Sequence, residues 1–274
     1  MSESSFKADL HIHSTFSDGT CTPEEILDLA MKTGLQAVSI TDHDSVAAYP
    51  KVIESAKEKG IIMITGVEFS AAYDEEPVHI LGYGFDPENS VILSYCSQHT
   101  KRRRNRNREI LELLAHHRLQ IKEEDLFRIA KSETIGRPHI ALAMMEKGYV
   151  ESINEAFKKY IGDGKCCYVP GVRFSVEETI DVIHHADGFA FIAHPHLIKK
   201  KKVIKKLLEM NFDGLEGRYA RFTPKENEKW INLAREHSLM VSGGSDFHGD
   251  VKPHLSLGCS YTDEETFNIL SGKA

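Results

Sequence analysis

Short apolar runs recur along this chain, each followed by an amphipathic stretch of helical length. That alternation restricts the fold more than any other feature. The segments 8–12, 37–41, 61–65, 78–83, 189–193, 212–216 and 239–242 read as buried strands. Between the first two, Thr22-Pro23-Glu24-Glu25 predicts a helix start, with Thr22 as N-cap and Glu25 completing a capping box. Gly34 marks its end, and 45–60, 203–210 and 224–237 are further helices. Buried strands alternating with helices imply an α/β fold with parallel strands, and 274 residues suit one (β/α) barrel of about 250. From 86 to 165 the pattern changes to helices alone (90–117, 122–129, 139–147, 152–160), closed by the turn Gly162-Asp163-Gly164. The expected organisation is a barrel from 1–85 and 166–274, interrupted by a helical insertion at 86–165.

The chemistry-bearing residues gather at the ends of these runs. Asp9, His11 and His13 share one strand face, and Asp18 lies just beyond. Thr41-Asp42-His43-Asp44, Glu68, His79, Ala193-His194-Pro195-His196 and Ser245-Asp246-Phe247-His248 accompany the later strands. In (β/α) barrels the C-terminal strand ends converge on one mouth. Burying so many ionisable groups together is very costly without compensating cations. Fifteen histidines in a chain of net charge −7 point to metal before nucleic acid. A cysteine-free set of imidazoles and carboxylates suits Mn, Fe or Zn in an open catalytic site better than a closed structural zinc.

The remaining features set limits. Five cysteines include no Cys-x-x-Cys pair, so reduced thiols are expected, and adjacent Cys166 and Cys167 read as small strand fillers rather than a reactive pair or metal ligands. The polar first residues lack the apolar stretch of a signal peptide, and no apolar run approaches the roughly 18 residues of a membrane span. A cytoplasmic protein without membrane contact is expected. The run 101–108 carries six cations; on a helix Lys101, Arg104 and Arg108 share one face, Arg102 and Arg106 another. Local positive charge in an acidic chain reads as a guide for phosphate, with an ordinary solvated surface as the alternative.

Four blocks, Asp9-Leu-His-Ile-His-Ser14, Thr41-Asp-His-Asp44, Ile192-Ala-His-Pro195 and Gly244-Ser-Asp-Phe-His-Gly249, resemble in order the motifs of the PHP (polymerase and histidinol phosphatase) superfamily. The resemblance implies a distorted (β/α)7 barrel whose trinuclear centre hydrolyses phosphoesters, with three divalent ions, Mn foremost and Fe or Zn as alternatives. It assigns His11, His13, Glu68 and Asp246 to one ion, and Asp18, His43 and His248 to a second. A third shares Glu68 and adds His79 and His194. The segments 133–140 and 164–169 resemble the subgroup of nucleoside 3′,5′-bisphosphate phosphatases and 5′→3′ exoribonucleases. By that resemblance Arg137 holds substrate phosphate, and His139, Lys165, Tyr168, Arg218 and Arg104 are further candidate substrate contacts.

The implied substrate is a phosphorylated nucleotide or short single-stranded RNA, with no protein partner. A hydroxide bridging two ions is the expected nucleophile, with Glu68 and Asp246 in the catalytic centre. His196 is a candidate proton donor to the leaving oxygen, and Asp9, Asp42 and Asp44 are expected to orient ligand histidines. Rival readings are a small-molecule phosphatase such as a histidinol-phosphate phosphatase, an amidohydrolase-type barrel, and a non-catalytic RNA- or nucleotide-binding module. The nine intact ligand positions weigh against the last.

Overall fold

Apolar content and cap chemistry account for most of the observed elements. A computed structural model describes residues 6–130, 132–171, 173–220 and 222–272. Strand β1 (Ala8–Ile12) is fully buried, and α1 (Pro23–Thr33) begins at the expected Thr22–Glu25 capping box and ends at Gly34 in the left-handed conformation. Strand β2 (Ala37–Ile40), α2 (Tyr49–Glu58), β3 (Ile62–Met63), β4 (Gly66–Tyr73) and β5 (Glu76–Tyr83) follow. Next come α3 (Ser90–His116), α4 (Glu123–Ala130), α5 (Arg137–Glu146) and the short α6 (Ile153–Ala156), which runs into a π-helical turn at Phe157–Ile161. The chain continues through β6 (Phe174–Ser175), α7 (Val176–His185), β7 (Phe189–Ile192), α8 (Lys201–Leu207), β8 (Gly214–Tyr219), α9 (Pro224–Glu236), β9 (Met240–Gly244) and α10 (Glu264–Leu270).

The strands form two sheets, a parallel β1-β2-β3 and a six-stranded β6-β4-β5-β7-β8-β9. The all-parallel expectation fails at β5, which is antiparallel to both β4 and β7. The cause is a tight hairpin: Asp74 and Glu75 both take positive φ (47° and 62°), the twist a two-residue turn needs. Asp-Glu lacks the usual glycine signal, so the strand half 69–73 escaped the sequence reading. Expected strand 61–65 shrinks to Ile62–Met63, because the chain leaves the first sheet at Thr65 and enters the second at Gly66. The two sheets meet through single bridges, Ile12 to Phe247 and His43 to Glu68. At the first of these seams Gly244 packs on β1 so closely that a Cβ there would lie 2.4 Å from the Cβ of His11.

Two of the buried clusters matter for the site. One lies between the larger sheet and α7, α8 and α9, and takes in Ile92, Tyr95 and Cys96 from the start of α3. Another is built from Ile110, Leu111 and Leu114 at the far end of α3 with Leu126, Ile140, Met144 and Cys167. Helix α3 therefore joins both cores, and Arg103 in its middle bonds Asp44 and Ser70, next to the His43–Glu68 bridge. Among the described residues, no helix is long and apolar enough to cross a membrane.

Candidate metal centre

Hairpin geometry places the central carboxylate. In the β4–β5 register Glu68 opposes Leu81 and Ser70 opposes His79, so His79 is a diagonal same-face neighbour of Glu68. Glu68 Oε1 lies 2.7 Å from His79 Nδ1 and 2.7 Å from His194 Nε2. Its Oε2 lies 3.0 Å from His43 Nδ1, 3.1 Å from His13 Nε2 and 3.4 Å from His11 Nε2. One buried carboxylate thus faces five imidazoles. Burial alone would raise its pKa, but the histidines around it hold it well below the usual carboxylate range.

Asp246 divides its two oxygens. Oδ2 accepts from Tyr219 Oη at 2.7 Å and from Lys252 Nζ at 2.6 Å. Oδ1 faces His11 Nε2 at 3.6 Å and His13 Nε2 at 3.5 Å. Asp18 sits 3.4 Å from His248 Nε2, 3.7 Å from His13 Nδ1 and 3.9 Å from His43 Nε2. All nine expected ligand residues come together, and their donor atoms form interlocking groups within 4.8 Å: His13-Asp18-His43-His248, His11-His13-Asp246, His11-Glu68-His194 and His43-Glu68-His79.

The donor set fits cations on its own chemistry. His248 Nδ1 donates to the Asp246 carbonyl oxygen at 2.8 Å, which leaves Nε2 as a lone pair pointing at Asp18. His11 Nδ1 faces Glu216 Oε1 at 2.8 Å, turning Nε2 toward two carboxylates. Among the described residues, buried His11 Nε2, His13 Nε2, His43 Nδ1 and Asp18 Oδ1 have no hydrogen-bond partner. Lone pairs aimed at carboxylates in a buried site repel unless a cation stands between them.

The aspartates expected to orient these histidines reach them in part: Asp9 accepts from the His11 backbone N–H at 3.3 Å, and Asp42 holds Ser17, whose Oγ lies 3.4 Å from His13 Nδ1. Asp9 accepts from the backbone of Ser245 (2.9 Å) and Gly258 (2.8 Å), and Asp42 from Ser14 N, Ser14 Oγ and Ser17 Oγ at 2.6–2.7 Å. Burial pushes both carboxyls up to about 6. Asp44 binds Arg103, the Ser70 backbone (2.7 Å) and His99 (3.2 Å). Burial would raise its pKa, but Arg103 and His99 hold it well below the carboxylate range. Glu216 bonds a ligand ring itself: one oxygen faces His11 Nδ1, and the other accepts from the His194 backbone N–H (2.7 Å). A glutamate inside the buried strand Gly214-Leu215-Glu216 was the sequence signal. Tyr219 and Lys252 carried none.

A cavity of about 250 Å³ opens beside the centre, lined by Asp18, His43 and His79 together with Arg102, Arg103, Arg106, Arg137 and Arg173. Arg106 is pulled down to about 9, by burial first and then by Arg103 and Arg137. Arg137 binds Asp163 (3.0 Å), and its guanidinium lies 5.3 Å from the centroid of the Tyr168 ring. The other expected substrate contacts are placed differently. Arg104 turns outward to Glu123 (3.5 Å) on α4, because it occupies the opposite face of α3 from Arg103 and Arg106. Arg218 binds Asp263 (2.8 Å), the N-cap of α10. His139 is buried, its Nδ1 accepting from Gly136 N at 2.9 Å as the cap of α5, and Lys165 is exposed on the closing turn. His196 packs its ring on Tyr219 and Phe222 (centroids 4.5 and 4.6 Å), and its ring centroid is 6.4 Å from that of His194.

Comparison with known proteins agrees with this geometry. The chain is 35% identical over 257 residues to the 5′-3′ exoribonuclease Rnm of Salmonella typhimurium, covering 91% of this chain and 87% of that protein. It is 30% identical over 246 residues to the 3′,5′-nucleoside bisphosphate phosphatase of Chromobacterium violaceum, covering 88% and 86%. A Bifidobacterium adolescentis crystal structure, provisionally named a metal-dependent phosphoesterase, superposes with a TM-score of 0.89 at 31% identity, covering 98% and 96%. The PHP domain model matches residues 9–257, and with the nine-residue cluster lying inside that span the chain belongs to the PHP domain family.

Proposed function

We propose that this chain, a metal-dependent phosphoesterase by family, acts on the 5′-phosphorylated end of short RNA and on nucleoside 3′,5′-bisphosphates. One observation carries the reading: a single cavity touches both the imidazole–carboxylate cluster and five arginines. Cations crowded that closely favour an anion among them. A 5′-phosphate held there leaves the next phosphoester along the chain at the cluster. We read the nine clustered residues as holding three divalent ions, Mn²⁺ foremost, in the grouping the family resemblance implies. Bound divalent ions lower the pKa of water from about 15.7 to about 7 and neutralise phosphate charge.

The protein's own side chains do the rest. Glu216 fixes the ring of His11 and the backbone of His194, and Tyr219 with Lys252 fixes Asp246. Arg102, Arg103, Arg106, Arg137 and Arg173 bind and orient the substrate's phosphates, while Arg104, Arg218 and Lys165 stand outside that cavity. We further read the two sheets as one distorted seven-stranded barrel (β1, β2, β4, β5, β7, β8, β9), joined at its seams by the single bridges. Residues 86–165 then form a substrate-binding insertion, and the cytoplasm is the compartment that suits the substrate.

The test is product identification by mass spectrometry on a short 5′-phosphorylated RNA with Mn²⁺, against EDTA and Asp246→Asn controls. Stepwise release of nucleoside monophosphates, abolished in both controls, is expected. Release of inorganic phosphate alone would restrict the function to bisphosphates, and turnover surviving EDTA would remove the metal centre from the reaction.

A further inference from the structure

The cysteines of this chain are free thiols, and two of them form a second cluster outside the centre just described. Cys166 and Cys167 do not lie on a strand, as the sequence suggested, but in the turn after Gly162-Asp163-Gly164. Their sulfurs are 3.7 Å apart, and a nitrogen of His117, the residue capping the C-terminus of α3, completes a group whose donor atoms all lie within 4.8 Å. Two thiolates bound tetrahedrally at about 2.3 Å from one zinc ion stand about 3.7–3.8 Å apart. The observed separation of 3.7 Å matches that of two thiolates on one shared ion. The backbone is set for it: Cys167 is buried and its N–H donates to Tyr160 O at 2.9 Å, at the end of the π-helical turn Phe157–Ile161.

We propose that His117, Cys166 and Cys167 form a binding site for a thiophilic divalent cation of the zinc class. The two exposed ligands leave the fourth tetrahedral position to water. Soft sulfur donors with one imidazole select such a cation over Mn²⁺, which prefers the oxygen-rich cluster. Thiols bind as thiolates, so each cysteine surrenders its proton to solvent when the ion enters. The site lies roughly 16 Å along the α3 axis from Arg106. A bound ion clasps the end of α3 to the segment leading into Tyr168, whose ring flanks Arg137.

The experiment is a Cd²⁺ titration of the full chain already saturated with Mn²⁺, following the ultraviolet thiolate-to-cadmium charge-transfer absorption. The oxygen–nitrogen cluster holds no sulfur and contributes nothing to that band. A band saturating at one Cd²⁺ per chain, displaced by Zn²⁺, lost in Cys166→Ser and weakened at least tenfold in affinity in His117→Ala, is expected. Both variants alter exposed side chains, and their Mn²⁺-supported phosphoesterase activity should equal that of the wild type before cadmium is added. No band, an equal band in Cys166→Ser, or saturation at half an ion per chain would each overturn the proposal.

Discussion

Asp246 shows how much of this site is decided within single residues. It takes positive φ (52°), as do Asp44 (54°) and His194 (26°), a conformation that costs non-glycine residues on the order of 1–3 kcal/mol. At Asp246 and His194 that strain accompanies side chains turned into the cluster. Tyr219 and Lys252 then occupy one Asp246 oxygen and leave the other facing two imidazoles. Glu216 does the same for His11 from the opposite side of the ring. Glu216→Gln removes that charge and one of the two acceptors, and should weaken Mn²⁺ binding by about 10–100-fold in a metal titration while the circular dichroism stays native. Unchanged affinity would reduce Glu216 to a space-filling core residue.

At the scale of elements, the β4–β5 hairpin and helix α3 carry the consequences. The hairpin sets Glu68 and His79 diagonally across one face, and α3 lays Arg102, Arg103 and Arg106 over the same opening. Sequence periodicity located α3 within a residue of its observed ends, yet could not say which arginines face inward. That depends on the other elements packed around α3, a long-range property. Arg106→Ala should raise KM for a 5′-phosphorylated RNA by roughly 10–100-fold, the loss of a hydrogen bond to a charged group worth about 1.5–3 kcal/mol. Arg104→Ala, on the face turned to Glu123, should change it less than twofold. Equal effects would place α3's other face in the substrate path. The hairpin itself was half legible: Val78–Tyr83 stood out as apolar, but positive φ at Asp74 and Glu75 leaves no residue-type signature when glycine is absent.

Across the whole molecule, the motif blocks were the most legible layer, because strand termini bearing His, Asp and Glu have few other uses. Six of the nine clustered residues lie in those blocks, and all nine converge within one cluster although they span positions 11 to 248. What the sequence left hidden were partners that belong to no motif, such as Tyr219 and Lys252, and the orientation of β5. A run of buried strands reads the same whether its neighbours are parallel or antiparallel. The arginine cavity and the metal cluster become one site because α3, α5, Pro170, Gly171 and Arg173 line the same cavity as His43 and His79. The measurement that tests this union most directly compares kcat/KM of the Mn²⁺-loaded protein on one short RNA carrying either a 5′-phosphate or a 5′-hydroxyl. A preference for the phosphate of about 100-fold, near 2.7 kcal/mol, is expected if the arginines hold that group. Equal values on the two RNAs would contradict it.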